Sequence, residues 1–258
     1  MKRVVLGIEY DGSAYAGWQK QAHADGIQER VEKAIARVAD HPVELVCAGR
    51  TDAGVHALNQ VAHFDTSAER AERGWVLGTN SHLPADINVN WVRFLPEEFH
   101  ARFSAVSRSY RYVILNRWVR SGLFGKRAAW IRKPLDADRM HRAAQALLGE
   151  HDFSSFRAIE CQAKSPVRTL EHIAARREDD RVILEVRANA FLHHMVRNIA
   201  GVLIEIGAGE RDADWAGQVL AHRDRTRGGI TAPAAGLYFL GPRYPEDFAV
   251  PAAQIWPA

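Results

Sequence analysis

The sequence predicts an α+β protein of two similar lobes, each a mainly antiparallel sheet with helices packed on one face, and a cleft between them. Three observations carry this prediction. Stretches that alternate apolar and polar residues recur in both halves of the 258-residue chain. Between them lie stretches whose apolar residues repeat every three or four positions, the mark of a helix with one buried face. Each half also holds neighbouring strand-like stretches that read as an antiparallel hairpin. Length allows one large domain or two ordinary ones. We divide the chain into a first lobe over 1–105, a basic connection over 106–135, a second lobe over 136–245 and a tail over 246–258.

Residues 3–10 open the first lobe as a strand, with Val4, Leu6, Ile8 and Tyr10 on one face. The turn Asp11-Gly12-Ser13 follows. Asp25 with Gln28 three residues on resembles a capping box, and it precedes a stripe of Ile27, Val31, Ala34, Ile35 and Val38. Short strands are expected over 43–47 and 60–65, a helix over 68–79 and a strand over 87–94. Residues 106–115 alternate again and place Arg108, Tyr110, Tyr112 and Ile114 on one face. Beyond Pro134, Asp136 is expected to cap a helix with the stripe Met140, Ala143, Ala144 and Leu147, stopped at Gly149. Strands over 168–177 and 181–188 share the polar turn Glu178-Asp179-Asp180. A helix over 192–206 buries Leu192, Met195, Val196, Ile199, Leu203 and Ile206.

Composition narrows the function classes. Hydrophobic residues make up 47% and charged residues 25%, the profile of a soluble globular protein. The opening MKRVVLGIEY is too short and interrupted in its apolar part for a signal peptide. No apolar run approaches the roughly 20 residues that span a bilayer. Cys47 and Cys161 make no zinc or redox spacing, so a reduced, cytoplasmic setting is expected. The formal charge is only +3, yet residues 99–135 carry nine Lys or Arg and no Asp or Glu. That block also holds Tyr110, Tyr112, Trp118, Phe124 and Trp130, a composition suited to a polyanion with stackable bases. A solvated basic face fits the charge run equally well.

The stretch that points to chemistry is Gly49-Arg50-Thr51-Asp52-Ala53-Gly54-Val55-His56-Ala57. Two glycines five apart bracket a turn that presents Arg50 and Asp52 from the end of a strand. A carboxylate beside a guanidinium keeps its charge. Such a group serves as a nucleophile, a base, a metal ligand or a loop cap, and physics alone leaves these open. The glycine spacing is not that of a phosphate-binding loop. Arg197 falls early in the last predicted helix, where a cation opposes the helix dipole unless an anion is near. It lies off the apolar stripe, and an exposed surface arginine is the plain alternative. Tyr110 reads as core by spacing, but Arg108 and Arg111 make its strand a poor candidate for full burial. His193 and His194 are adjacent and would diverge on a helix, and neither an HExxH motif nor a dinucleotide fingerprint occurs.

GRTDAGVHA resembles the active-site motif of the TruA family of tRNA pseudouridine synthases. Gly17-Trp18-Gln19, FHARFSA at 99–105, SYRY at 109–112, HDFSSFRA at 151–158, FLHHMVRN at 191–198 and APAAGLYF at 232–239 resemble further family segments. The resemblance thus runs in order through nearly the whole chain and stops in the last dozen residues.

It implies an active-site cleft between the lobes in which Asp52 is the nucleophile, Arg197 pairs with it, and Tyr110 stacks on the target base. Substrate contacts are expected from Tyr110, Arg50, Leu237, Arg108, Arg111 and His194, and Tyr112 is expected to pack. It further implies isomerisation of uridine to pseudouridine at positions 38, 39 and 40 of the tRNA anticodon stem-loop by a homodimer. The reaction involves no redox change and no net hydrolysis, so neither cofactor nor metal is expected. Two rival classes are a non-catalytic RNA-binding module, which the basic block alone would support, and a metal-dependent nuclease built on Asp52 and nearby histidines.

Overall fold

The computed structural model describes residues 1–253 and divides into two units. Residues 1–106 and 239–253 form the first, and residues 107–238 form the second. Of the expected tail, residues 254–258 lie outside the described residues, while Glu246–Phe248 forms a short 3-10 turn.

In the first unit β1 (Lys2–Tyr10) is the inner strand, flanked by antiparallel β3 (His56–Thr66) and β4 (Ile87–Leu95). The far side of β3 meets β10 (Leu237–Arg243) and the two-residue β2 (Val46–Cys47). Val4, Leu6 and Ile8 are buried as the alternation predicts, but Val5 is buried as well. Its face is covered by Ala48, Val61, Phe99, Ala101 and Tyr244, so β1 has both faces covered, which its apolar centre VVL permits. Among these elements α1 (Ile27–Ala39) and α2 (Glu72–Asn80) bury Ile27, Val31, Ala34, Ile35 and Trp75.

The start of α1 departs from expectation. Gly26 is the N-cap, and Asp25 turns instead to the Arg30 guanidinium at 2.8 Å. Gln28 is buried, and its amide donates to Glu32 Oε1 at 2.8 Å. An internal acceptor thus draws Gln28 away from capping-box geometry. α2 begins at Glu72 rather than 68, and β3 starts four residues earlier than its apolar core implies.

The second unit holds the antiparallel strands β5 (Ser107–Leu115), β9 (Arg181–Ala188), β8 (Val167–Glu178) and β7 (Gly149–Asp152), in that order. The pair β6 (Ala129–Trp130) runs parallel to β5. Asp136 caps α3 (Ala137–Ala144) as predicted, accepting from the Arg139 N–H at 2.8 Å. Met140, Ala143, Ala144 and Leu147 are all buried. Asp179, at φ 51°, makes the tight turn between β8 and β9. α4 (Met195–Gly207) starts three residues later than its apolar stripe implies, because His194 adopts φ 61° and forms a left-handed N-cap. α5 (Trp215–His222) has no counterpart among the predicted elements. Among the described residues, no helix is long and apolar enough to cross a membrane.

Candidate active-site residues

In the first unit, residues 48–55 form a loop between β2 and β3 that is tied down around Asp52. The Thr51 carbonyl accepts from the Trp18 N–H at 3.0 Å, and the Gly54 N–H donates to Tyr15 O at 3.2 Å. Gln60 Nε2 donates to the Gly49 carbonyl at 2.6 Å, and the Asp52 carbonyl accepts from the Val55 N–H at 3.1 Å. The Tyr10 phenol and the Thr51 hydroxyl lie 2.7 Å apart in the interior. Gly17 makes the approach of the 17–18 backbone feasible: it sits at φ +102°, and a Cβ there would lie 2.6 Å from the Thr51 carbonyl. Thr51 is buried, Asp52 is half-buried and Arg50 is exposed. The loop therefore carries a carboxylate on a backbone held on both sides, which limits where that carboxylate can stand.

In the second unit Tyr110 stands on β5 opposite Val186 of β9 and is half-buried. Its ring meets Phe191 edge-to-face, centroids 5.0 Å apart at 84°. Arg108 donates from Nη1 to the Asn189 carbonyl at 3.0 Å. Arg111 is engaged by Glu185 on β9, with Nε and Nη2 at 3.0 and 2.6 Å from Oε1. The Arg111 and Arg176 guanidiniums together hold the Glu185 carboxyl below the usual range against the opposing effect of burial. Tyr112 packs as predicted. It is fully buried, its hydroxyl donates to the Pro233 carbonyl at 2.7 Å, and burial holds its phenol well above the ordinary value.

Arg197 is the third residue of α4, within its first turn, where no acidic side chain is present. Its Nε donates to the Ala232 carbonyl at 2.8 Å, and its own carbonyl accepts from the Ala232 N–H at 3.2 Å. Leu237 is buried at the start of β10. His193 and His194 do not diverge, because they precede α4 and the left-handed backbone at 194 sets their ring centroids 4.1 Å apart. Each unit thus collects the predicted residues it owns: Arg50 and Asp52 in one, and Tyr110, Arg108, Arg111, His194, Arg197 and Leu237 in the other.

Around these lie residues that sequence reasoning passed over. Asn198 is buried and donates from Nδ2 to the Phe156 carbonyl at 2.8 Å. Its Oδ1 accepts from the Thr231 hydroxyl at 2.7 Å and from Arg225 Nη2 at 3.1 Å. The available signal was a polar residue inside the apolar run Met195–Leu203 pattern of α4. Thr51 offers no such signal, since its role depends on Tyr10, 41 residues away.

Comparison with known proteins adds a second line. The family model described as tRNA pseudouridine synthase matches residues 7–104 and 143–245. The tRNA pseudouridine synthase A of Methylococcus capsulatus is 58% identical over 248 residues, covering 96% of this chain and 92% of that protein. Its counterpart in Hydrogenovibrio crunogenus is 53% identical over 251 residues, covering 97% and 96%. That of Pseudomonas aeruginosa is 53% identical over 258 residues, covering 100% and 90%.

Proposed function

We infer the reaction from one premise: this chain belongs to the tRNA pseudouridine synthase family. The function that follows is isomerisation of uridine to pseudouridine in tRNA. The N-glycosidic bond breaks, the uracil turns, and the base rejoins the sugar through carbon, with no electrons or water consumed.

The observation that supports a role for Asp52 is its loop, where Thr51 and Gly54 are anchored to Trp18 and Tyr15 while the carboxylate stands between them. We propose Asp52 as the nucleophile. Attack at C6 of the ring, attack at C1′ of the sugar and elimination to a glycal all begin with this carboxylate beside an unstacked nucleotide. Arg197 is proposed to hold and orient it. A guanidinium in the first turn of a helix opposes the helix dipole at a cost of a few tenths of a kcal/mol, which a carboxylate or phosphate partner offsets. Tyr110, set by Phe191, is proposed to stack on the base, with Arg50, Leu237 and His194 as further substrate contacts. Removing a base from its stack costs a few kcal/mol, and stacking together with phosphate contacts offsets it.

The finer reading is that the enzyme acts in the cytoplasm as a homodimer on positions 38, 39 and 40 of the anticodon arm. Basic residues over 106–135, with Arg108 among them, are proposed to contact RNA; Arg111 would join them only if its Glu185 pair opens. Exposed Trp118, with the Arg132 guanidinium 4.3 Å over its ring, and exposed Phe124 and Trp130 support a surface that accepts bases as well as phosphates.

The test is to incubate the purified chain with unmodified tRNA, chelator present and no cofactor added, and to map pseudouridine by chemical labelling. Pseudouridine at 38, 39 and 40 is expected. None anywhere, with tRNA binding intact, would leave a binding module; strand cleavage that chelator abolishes would indicate a nuclease.

A further inference from the structure

Arg197 carries a long side chain, and holding such a chain in one rotamer works against its conformational entropy. Ala232 supplies the anchor, because its carbonyl takes the Arg197 Nε–H at 2.8 Å. A backbone carbonyl helps to orient a guanidinium only if that carbonyl is itself immobile. The segment 228–233 shows how this is achieved. Ala232 is fully buried, and its N–H returns a bond to the Arg197 carbonyl. On one side Pro233 restricts the backbone of both residues, and its carbonyl receives the Tyr112 hydroxyl at 2.7 Å. On the other side Thr231 donates to Asn198 Oδ1 at 2.7 Å. Arg225 closes the arrangement. Its Nη2 reaches both Asn198 Oδ1 and Thr231 Oγ1 at 3.1 Å, and its Nη1 reaches the Gly229 carbonyl at 2.9 Å.

The segment also lies directly on α4. A Cβ on Gly201 would sit 1.8 Å from the Ile230 carbonyl, so helix and segment touch backbone to backbone. Asn198 follows Arg197 in sequence and belongs to the same helical turn. The network thus links the turn that carries Arg197 to the carbonyl that holds its side chain.

We propose that Arg225, Thr231 and Asn198 form a positioning clamp for Arg197, acting on the chemical step through the Ala232 carbonyl and not through contact with RNA. The proposal rests on the reading of Arg197 as an active-site residue. It predicts a particular kinetic signature. Displacing a guanidinium by about 1 Å costs on the order of 100-fold in the step it serves, while binding energy spread over a large RNA surface is unaffected.

The experiment is single-turnover kinetics on unmodified tRNA with enzyme in excess, alongside tRNA binding, for Thr231→Val, Thr231→Ser and Arg225→Lys. Thr231→Val keeps the shape and removes the hydroxyl, and a fall of ~10–100-fold in rate is expected with Kd within ~3-fold. Thr231→Ser restores the hydroxyl and should return the rate to within ~3-fold of the parent. Arg225→Lys keeps the charge but loses the fork and should resemble Thr231→Val; it tests the clamp even if Thr231→Val does not fold. Wild-type rates in Thr231→Val and Arg225→Lys, or a weakened Kd with an unchanged rate, would overturn the proposal. Arg197→Gln is measured beside them. Normal turnover in Arg197→Gln removes the active-site reading itself, whereas an inactive Arg197→Gln with normal clamp variants removes only the clamp.

Discussion

Tyr10 and Thr51 meet through their hydroxyl oxygens at 2.7 Å, joining the last residue of β1 to the residue before Asp52. Both are buried. Tyr10→Phe removes one partner and leaves the other hydroxyl inside, which costs about 1–2 kcal/mol. The variant should unfold at lower urea and turn over more slowly with unchanged tRNA affinity. Equal turnover would show that the Asp52 loop holds its conformation through its backbone bonds alone.

Asp52→Asn keeps the size and removes the charge and nucleophilicity. Turnover should disappear while tRNA binding stays within a few-fold. Substantial pseudouridine formation by a clean preparation of this variant would exclude Asp52 as the nucleophile.

Arg108 and Arg111 were grouped by sequence as RNA contacts, yet their surroundings differ. Arg108 has a main-chain partner in Asn189, whereas Arg111 is locked to Glu185 between two strands. Arg108→Gln should lower the salt dependence of tRNA binding by about one phosphate contact. Arg111→Gln should mainly lower stability, since Glu185 would keep Arg176 alone. Equal falls in salt slope for both would mean that the Glu185 pair opens when RNA binds.

His63 supplies a pH prediction. Burial pushes its imidazole down to about 4, with Arg3 and His100 adding to the effect and Asp65 opposing it. Its Nδ1 accepts the Ala101 N–H at 3.1 Å, which requires the neutral ring. The unfolded chain, with an ordinary value of 6.5, therefore binds the proton more readily than the folded one between about pH 6.5 and 4. The contribution is fully present above pH 6.5 and is lost as pH falls through that window; His100, also depressed by burial, acts in the same direction. The urea midpoint should fall from pH 7.5 to pH 5, and His63→Gln should reduce that fall. An undiminished fall would place the effect elsewhere.

How far sequence reasoning reached depends on where each signal resides. The stripe Met140, Ala143, Ala144 and Leu147 and the Asp136 cap were legible because helix burial and capping are local patterns. The motif around Asp52 was legible as a loop, but its anchors were not. Trp18, Tyr15 and Tyr10 reach it across more than 30 residues, and no periodicity encodes such pairs. α4 was found by its apolar stripe and misplaced at its start, since Leu192 is buried like a helical residue yet lies before the turn. The opposed partners Asp25 and Gln28 show the same limit: each has a capping side chain, and each is taken by a neighbour with a stronger claim, Arg30 and Glu32.

The first unit is closed by residues that follow the whole of the second unit in the chain. β10 lies beside β3, Tyr244 donates to the Ala101 carbonyl at 2.6 Å, and Asn59 Nδ2 donates to Pro251 O at 3.1 Å. On the ribosome, therefore, residues 1–106 emerge without their final strand and lack it until residues 237–243 have been made. The second unit, contiguous from 107 to 238, is available whole before that strand exists. During that interval β3 exposes an edge that β10 of the same polypeptide later covers, and termination before β10 would leave it open to pairing with another nascent chain.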